Sequence, residues 1–167
     1  AGQCVLEAGH GSGGLALHLA NVLGENGTLV SVENRSEHAV EGRENMMRAA
    51  NALKEFPNWT LIEGDIAEVS FEDVADEFDA IILDLPEPWP VISRLAKKIR
   101  YGGRIACYCP VSSQLEKAWE ACEEAGLHID WAGEMIERIW TKASRGGVRP
   151  GNTPMGHTAF LLIAERT

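Results

Sequence analysis

The chain has 167 residues, of which 45% are hydrophobic and 24% are charged. These values exclude an intrinsically disordered chain, and the longest purely apolar run, residues 159–164, is too short to cross a bilayer. The length suits one compact domain, so we expect residues 1–167 to form a single domain. No basic and apolar leader opens the sequence, which favours a cytoplasmic location. The four cysteines lack the paired spacing of a zinc site, so we expect free thiols and no metal.

The net charge of −10 is unevenly distributed along the chain. Residues 1–88 carry 17 acidic and 4 basic side chains, whereas residues 89–167 carry 8 acidic and 11 basic ones. The basic residues of the second half either form solvated surfaces or bind a polyanion. The charge pattern alone leaves both interpretations open.

Apolar patterns predict strands that alternate with helices through the first three quarters of the chain. The predicted strands cover residues 3–7, 28–33, 60–63, 78–84 and 104–109, and the predicted helices cover residues 15–23, 36–55, 91–99 and 115–122. Ser36 is the expected N-cap of the second helix. Such alternation predicts an open parallel sheet that is covered by helices on both faces.

Two further strands, residues 128–140 and 157–166, are predicted with a polar loop between them, and a pair joined in this way is expected to be antiparallel. The predicted fold is therefore α/β and Rossmann-like, with a mostly parallel seven-stranded sheet that ends in an antiparallel hairpin. This arrangement is similar to that of class I methyltransferases. A dinucleotide-binding fold would normally add another crossover helix instead.

A glycine-rich loop separates the first predicted strand from the first predicted helix. Residues 9–14 read G-H-G-S-G-G and satisfy the pattern G-x-G-x-x-G. Glycines allow the backbone to approach a ligand closely, and Glu33, twenty residues after Gly13, can accept bonds from two ribose hydroxyls. Nicotinamide-binding and S-adenosylmethionine-binding domains share these features, so the loop does not decide between them.

Four acidic residues, Glu7, Glu33, Asp65 and Asp84, come at the carboxyl ends of predicted strands. Ligands of open α/β sheets bind at that edge. A carboxylate at position 7 would repel a pyrophosphate but suits a sulfonium, and Asp65 can accept a bond from an adenine amine. The acids therefore favour S-adenosylmethionine over a nicotinamide cofactor.

Five stretches resemble the catalytic domain of the tRNA (adenine-N1)-methyltransferases, which methylate the T-loop adenosine at tRNA position 58. They are V-L-E-A-G-H-G-S-G at 5–13, S-V-E at 31–33, L-D-L-P-E-P-W at 83–89, V-R-P at 148–150 and G-H-T-A-F-L at 156–161. The resemblance runs from residue 3 to about residue 165. It departs at His10, where the family usually carries a small residue, and it is loose over residues 140–148.

The resemblance implies a site for S-adenosylmethionine and for its product, S-adenosylhomocysteine. The cofactor-binding residues are then Glu7, Gly9, His10, Gly11, Ser12, Gly13, Gly14, Leu15, Glu33, Asn34, His38, Gly64, Asp65, Ile66 and Asp84. It also implies that Asp84 is the catalytic carboxylate and that Trp89 shapes the pocket for the target base. The resemblance further implies a homotetramer and an N-terminal β domain that grips tRNA. We expect this chain to have lost that domain.

Residues in the second half are candidates for binding tRNA. Trp89, Tyr108 and Trp140 are candidates for stacking on an extruded base, and Arg145 and Arg149 for contacting phosphates. His157 heads the last predicted strand and is grouped with these residues, although a structural hydrogen bond is the alternative and its functional role stays open. Core packing is the alternative for the aromatic side chains.

The expected activity is methylation of adenine N1 in the tRNA T-loop. A carboxylate that accepts a bond from the exocyclic amine would stabilise the charge that develops on the base, and Asp84 is the candidate. The alternatives are a methyltransferase of the same fold that acts on a small molecule or a protein, a non-catalytic subunit that binds tRNA, and a nicotinamide-dependent oxidoreductase.

Overall fold

The computed structural model describes residues 2–151 and 158–167. The main sheet contains β1 (Cys4–Ala8), β2 (Thr28–Glu33), β3 (Asn58–Glu63), β4 (Phe78–Leu83), β5 (Ile99–Cys109), β6 (His128–Glu134) and β9 (Phe160–Glu165). A separate small hairpin consists of β7 (Trp140–Lys142) and β8 (Val148–Pro150). The helices of the described ranges are α1 (Gly14–Leu23), α2 (Ser36–Ala52), α3 (Trp89–Ala96) and α4 (Ser112–Glu124).

The main sheet has the strand order β3-β2-β1-β4-β5-β9-β6. Strands β1 to β5 are parallel neighbours, whereas β9 lies antiparallel between β5 and β6. The predicted α/β class, the seven strands and the antiparallel C-terminal pair are confirmed. The strand order reverses between β1 and β4, and this is where open α/β sheets leave a crevice at the carboxyl ends of their strands.

The helices cover both faces of the sheet, as predicted. Helices α1 and α2 pack on one face through Ala16, Ala20 and Met46, while α3 and α4 pack on the other. Successive residues of β1 therefore contact different layers: Val5 joins the α1–α2 layer and Leu6 joins the α3–α4 layer. The same alternation turns the side chain of Glu7 toward the α1–α2 layer.

Several predicted boundaries are wrong by a few residues. Arg35, not Ser36, occupies the N-cap of α2, and that helix ends at Ala52. Ile99 continues the apolar spacing of α3 but pairs with Phe78 and begins β5. The strand predicted for residues 128–140 ends at Glu134, because residue 140 pairs with residue 150 in the β7–β8 hairpin instead.

The cysteines are free thiols, as expected. Cys107 and Cys109 share one face of β5 and are buried with Cys122 of α4. Burial, with smaller effects of Cys109 and Glu123, raises the pKa of Cys122 to about 12, so this thiol is not reactive at neutral pH. Within the described ranges, no helix is long and apolar enough to cross a membrane.

Candidate active site

A cavity of about 630 Å³ opens where the first four strands end. Glu33, Asp65 and Asp84 line it, so three of the four acids singled out in the sequence lie around one space. Its wall comes from residues 8–9 and 32–35 at the ends of β1 and β2, from residues 64–67, from the segment 84–87 and from the first turn of α3. The structure thus brings together carboxylates that lie up to 51 residues apart along the chain.

A second cavity, of about 580 Å³, adjoins the first. Both are lined by Gly9, Arg35 and the segment 84–86, so Asp84 lies at their junction. Ser12 and His38 line the second cavity, and Gln114 and Pro110 lie on the side of β5 and α4. A ligand that fills the first cavity and a second one that enters from α4 would therefore meet at Asp84.

The carboxylate of Glu33 is buried at the end of β2 and is held by three donors. The Gly11 amide donates to Oε2 over 2.7 Å, and the amide and guanidinium of Arg35 donate to Oε1 over 3.1 and 3.2 Å. Burial works against the charged form, but these bonds together lower the pKa of Glu33. Glu33 is therefore ionised at neutral pH and is fixed against the glycine-rich loop.

Asp65 opens the turn that follows β3. Its Oδ1 accepts a 2.8 Å bond from the amide of Ala67, which folds the turn back on itself. The guanidinium of Arg94, on α3, donates to the carbonyl oxygens of Ile66 and Val69 and so ties this turn to the helix. Asp65 and Ile66, both predicted cofactor residues, are held in place by these contacts.

Asp84 follows β4 at the mouth of both cavities, and its amide donates to the carbonyl of Ala8 over 2.9 Å. Partial burial, and secondly the charge of Glu7, raise the pKa of Asp84. Perturbed carboxylates in clefts are common at catalytic sites. The surrounding structure thus disfavours the ionised form of Asp84.

Glu7 belongs to the same sheet edge, but its side chain is 2% exposed and lines neither cavity. Its Oε1 lies 2.6 Å from His10 Nδ1 and accepts a 2.6 Å bond from the hydroxyl of Ser31. Glu7 therefore faces a buried polar cluster beneath the glycine-rich loop, and not the ligand side that its place at the sheet edge predicts.

A family model described as tRNA methyltransferase complex GCD14 subunit matches residues 1–145. The chain belongs to this family. A tRNA (adenine(57)-N(1)/adenine(58)-N(1))-methyltransferase of Methanocaldococcus jannaschii is 33% identical over 98% of this chain, and a tRNA (adenine(58)-N(1))-methyltransferase of Thermus thermophilus is 32% identical over 99% of it. The chain spans 64% and 62% of the lengths of these two relatives.

A solved structure described as an S-adenosylmethionine-dependent O-methyltransferase of Thermotoga maritima superimposes with a TM-score of 0.84 at 26% identity. The superposition covers 99% of this chain and 60% of that one. The overall fold is thus shared with a protein described as a methyltransferase. Family and fold agree with the resemblance found in the sequence.

Other family residues predicted at the site lie around the same loop. Gly9, Gly11, Ser12, Asn34, His38 and Gly64 line one or both cavities. Gly13 is the left-handed N-cap of α1, and Gly14 and Leu15 form the first residues of that helix, outside both linings. The loop residues that face the cavities are therefore Gly9, Gly11 and Ser12.

The residues predicted to bind the tRNA are spread more widely. Trp89 is the first residue of α3, and Lys117 Nζ lies 4.5 Å from the centroid of its ring. Tyr108 is 43% exposed on β5, while Trp140, Arg145 and Arg149 are exposed in and around the β7–β8 hairpin. None of these five lines either cavity, and His157 lies outside the described residues.

Three residues that support the site are not predicted from the sequence. Arg35 bonds Glu33, Arg94 holds the Asp65 turn, and Gln114 donates a 2.8 Å bond to the carbonyl of Pro86. Arg35 follows the acid by two residues and could have been noticed, whereas the others come from helices whose contacts the sequence does not reveal. Across the described residues, no cluster of three or more His, Cys, Asp or Glu side chains could hold a metal ion.

Proposed function

We propose that this chain is the catalytic domain of an S-adenosylmethionine-dependent tRNA (adenine-N1)-methyltransferase that modifies the T-loop. The observation that carries the proposal is the grouping of Glu33, Asp65 and Asp84 around one cavity of about 630 Å³. The family assignment and the tRNA methyltransferase activities of the two relatives support the choice of tRNA as the substrate.

The residues present fit an adenosyl ligand. The cavity volume lies within the range of about 300–1,000 Å³ that small-molecule sites occupy. Glu33 accepts two bonds from Arg35 at Oε1 and one from Gly11 at Oε2, which leaves one acceptor position on Oε2 for a ribose hydroxyl. Asp65 uses Oδ1 on Ala67, which leaves Oδ2 for an adenine amine. Each carboxylate therefore retains an acceptor, Glu33 for a ribose hydroxyl and Asp65 for the adenine amine.

S-adenosylmethionine supplies a methyl group on a positively charged sulfur that leaves as a neutral thioether. Asp84, where the two cavities meet, would accept a hydrogen bond from the exocyclic amine of the target adenine. Transfer forms the bond between adenine N1 and the methyl carbon and puts positive charge on the base. The Asp84 carboxylate stabilises that charge as it develops, and no proton has to leave N1.

Two features support an anionic macromolecular substrate. Residues 89–167 hold 11 basic and 8 acidic side chains, in contrast to the acidic first half. Arg145 and Lys142 are exposed on the β7–β8 hairpin together with Trp140. Basic residues beside an aromatic ring suit a phosphate backbone with an unstacked base.

Nucleoside analysis of a methylated transcript tests this proposal. A tRNA transcript with adenosine at position 58 and one with guanosine there are incubated with the protein and labelled S-adenosylmethionine. We expect 1-methyladenosine in the first transcript alone, mapped to the T-loop by mass spectrometry. Label in a metabolite or protein pool, with neither transcript modified, would favour a methyltransferase that acts on a small molecule or a protein. The likeness to an O-methyltransferase structure is the observation that favours this alternative.

The proposal extends to a cytoplasmic homotetramer without a metal. Met135, Ile139 and Val148 are each at least 60% exposed, and a second copy could cover these apolar side chains. Four free thiols suit a reducing compartment. We expect a tetramer in sedimentation experiments and full activity in the presence of EDTA.

A further inference from the structure

The imidazole of His10 is completely buried between the glycine-rich loop, the sheet and α2. Its ring lies 5.8 Å from that of Trp59, measured between centroids. On the side of α2 it contacts Gly42 so closely that a Cβ at that position would lie 2.4 Å from the ring. His10 therefore occupies a space that only glycine at position 42 leaves open.

The hydrogen bonds around His10 have one consistent direction. Trp59 Nε1 donates to the hydroxyl oxygen of Ser31 over 2.9 Å, so the single hydroxyl proton of Ser31 is free to be donated to Glu7 Oε1. Since a carboxylate only accepts, His10 Nδ1 must carry the proton in its 2.6 Å bond to the same oxygen. One carboxylate oxygen thus takes two bonds, and His10 supplies one of them.

The backbone of His10 connects this buried cluster to the cofactor cavity. Its amide donates to the carbonyl of Val32 over 3.2 Å, and its carbonyl accepts from Gly13 over 2.9 Å. The next residue, Gly11, donates its amide to Glu33 Oε2. The side chain of His10 is therefore the internal anchor of the loop segment that holds the ribose-binding carboxylate.

We propose that His10 is a positioning residue: through its Nδ1 bond to Glu7 it fixes the glycine-rich loop so that Gly11 and Glu33 are preset for the ribose of an adenosyl ligand. This inference rests on the proposed function of the cavity. His10 lines neither cavity and touches no reacting group. Its effect on ligand affinity is carried by the loop backbone and by Glu7.

Two variants of equal shape separate the hydrogen bond from packing. In His10→Asn the side-chain amide can donate where Nδ1 does, whereas His10→Leu has the same branching and no donor. A third variant, His18→Ala, removes an exposed histidine on α1 and serves as the control. Each protein is titrated with S-adenosylhomocysteine by calorimetry at a temperature where thermal unfolding shows it folded.

We expect His10→Leu to bind S-adenosylhomocysteine about tenfold more weakly, equivalent to about 1.4 kcal/mol. His10→Asn should stay within about threefold of the parent, and His18→Ala should match it. If His10→Leu does not fold, His10→Ala replaces it as the variant without a donor.

Parent-like affinity in the donor-free variant, or equal weakening in the Asn and Leu variants, would overturn the positioning role. Failure of the parent itself to bind S-adenosylhomocysteine would instead overturn the proposed function, and this inference with it.

Discussion

A Cβ atom added to Gly9 would lie 2.0 Å from the carbonyl oxygen of Asp84. The two residues follow the neighbouring strands β1 and β4, and Gly9 has a φ of +90°, a conformation that favours glycine. The backbone of the loop thus packs directly against the backbone of the catalytic candidate. This contact sets the distance between the cofactor loop and Asp84.

Replacing Gly9 with alanine should displace the end of β4. The strained φ and the backbone clash together should lower the free energy of unfolding by about 3 kcal/mol and abolish detectable binding of S-adenosylhomocysteine. Gly102→Ala is the control, because Gly102 has a φ of +72° but open space around its Cβ. It should lose about 1 kcal/mol and keep full affinity. Equal effects of both changes on affinity would contradict the role of this contact.

Asp84→Asn should separate binding from catalysis. We expect methyl transfer to tRNA to fall about a hundredfold or more, while the affinity for S-adenosylhomocysteine changes little. Because the folded state raises the pKa of Asp84, ionisation of this group costs stability at neutral pH. The variant should therefore melt at a higher temperature at pH 7, with the gain lost below the ordinary aspartate pKa. Parent-like turnover would remove Asp84 from the chemistry.

Glu7→Gln should move the acid limb of the pH–rate profile. Burial is the larger cause of the raised pKa of Asp84, and the negative charge of Glu7 is the second. Removing that charge should lower the pKa of Asp84, so activity should persist to lower pH than in the parent. Initial rates measured across the acidic range test this shift. An acid limb that stays in place or moves to higher pH would show that Glu7 does not act on Asp84.

Glu33→Gln should destabilise the protein in a pH-dependent way. The folded pKa of Glu33 is lowered, so its contribution is present above the ordinary pKa of about 4.5 and is lost as pH falls through the lowered value. We expect a loss of about 2 kcal/mol in urea unfolding at pH 7, because bonds to a charged group are lost, and a smaller loss in acid. An equal loss at both pH values would mean that the charge does not matter.

Arg94 ties the turn that follows β3, where we propose that adenine binds, to α3, so Arg94→Met should loosen residues 65–69. Losing two charged hydrogen bonds to carbonyl oxygens should lower the free energy of unfolding by about 2 kcal/mol. Affinity for S-adenosylhomocysteine should fall about tenfold, measured by calorimetry. Lys97→Met, the control, changes an exposed side chain three residues after Arg94 and should alter neither stability nor affinity.

The sequence predicted the sheet class and three of the acids around the cavity, because parallel strands place their carboxyl ends at one edge whatever the details of packing. It did not predict where Glu7 points. Residues 7 and 8 of β1 face opposite layers, and Ala8 rather than Glu7 lines the cavity. The helices that cover the sheet decide which face borders the ligand cavity. The alternation of residues along a strand does not predict that face.

Two other features depended on tertiary contacts. The sequence predicts a loop over residues 141–156, where the structure has most of the β7–β8 hairpin, since three-residue strands joined by a Gly-Gly turn carry too short an alternation to recognise. The contact between His10 and Gly42 joins residues 32 positions apart, and no local pattern indicates it. The general position of the site was therefore predictable, whereas its internal supports were not.

A crystal structure of the protein with S-adenosylhomocysteine would show whether the three carboxylates bind one adenosyl ligand. We expect a ribose hydroxyl on Glu33, the adenine amine on Asp65 and the sulfur directed toward Asp84, within the cavity that these carboxylates share. Ligand density elsewhere on the protein, or in this cavity without contact to Glu33 and Asp65, would contradict it.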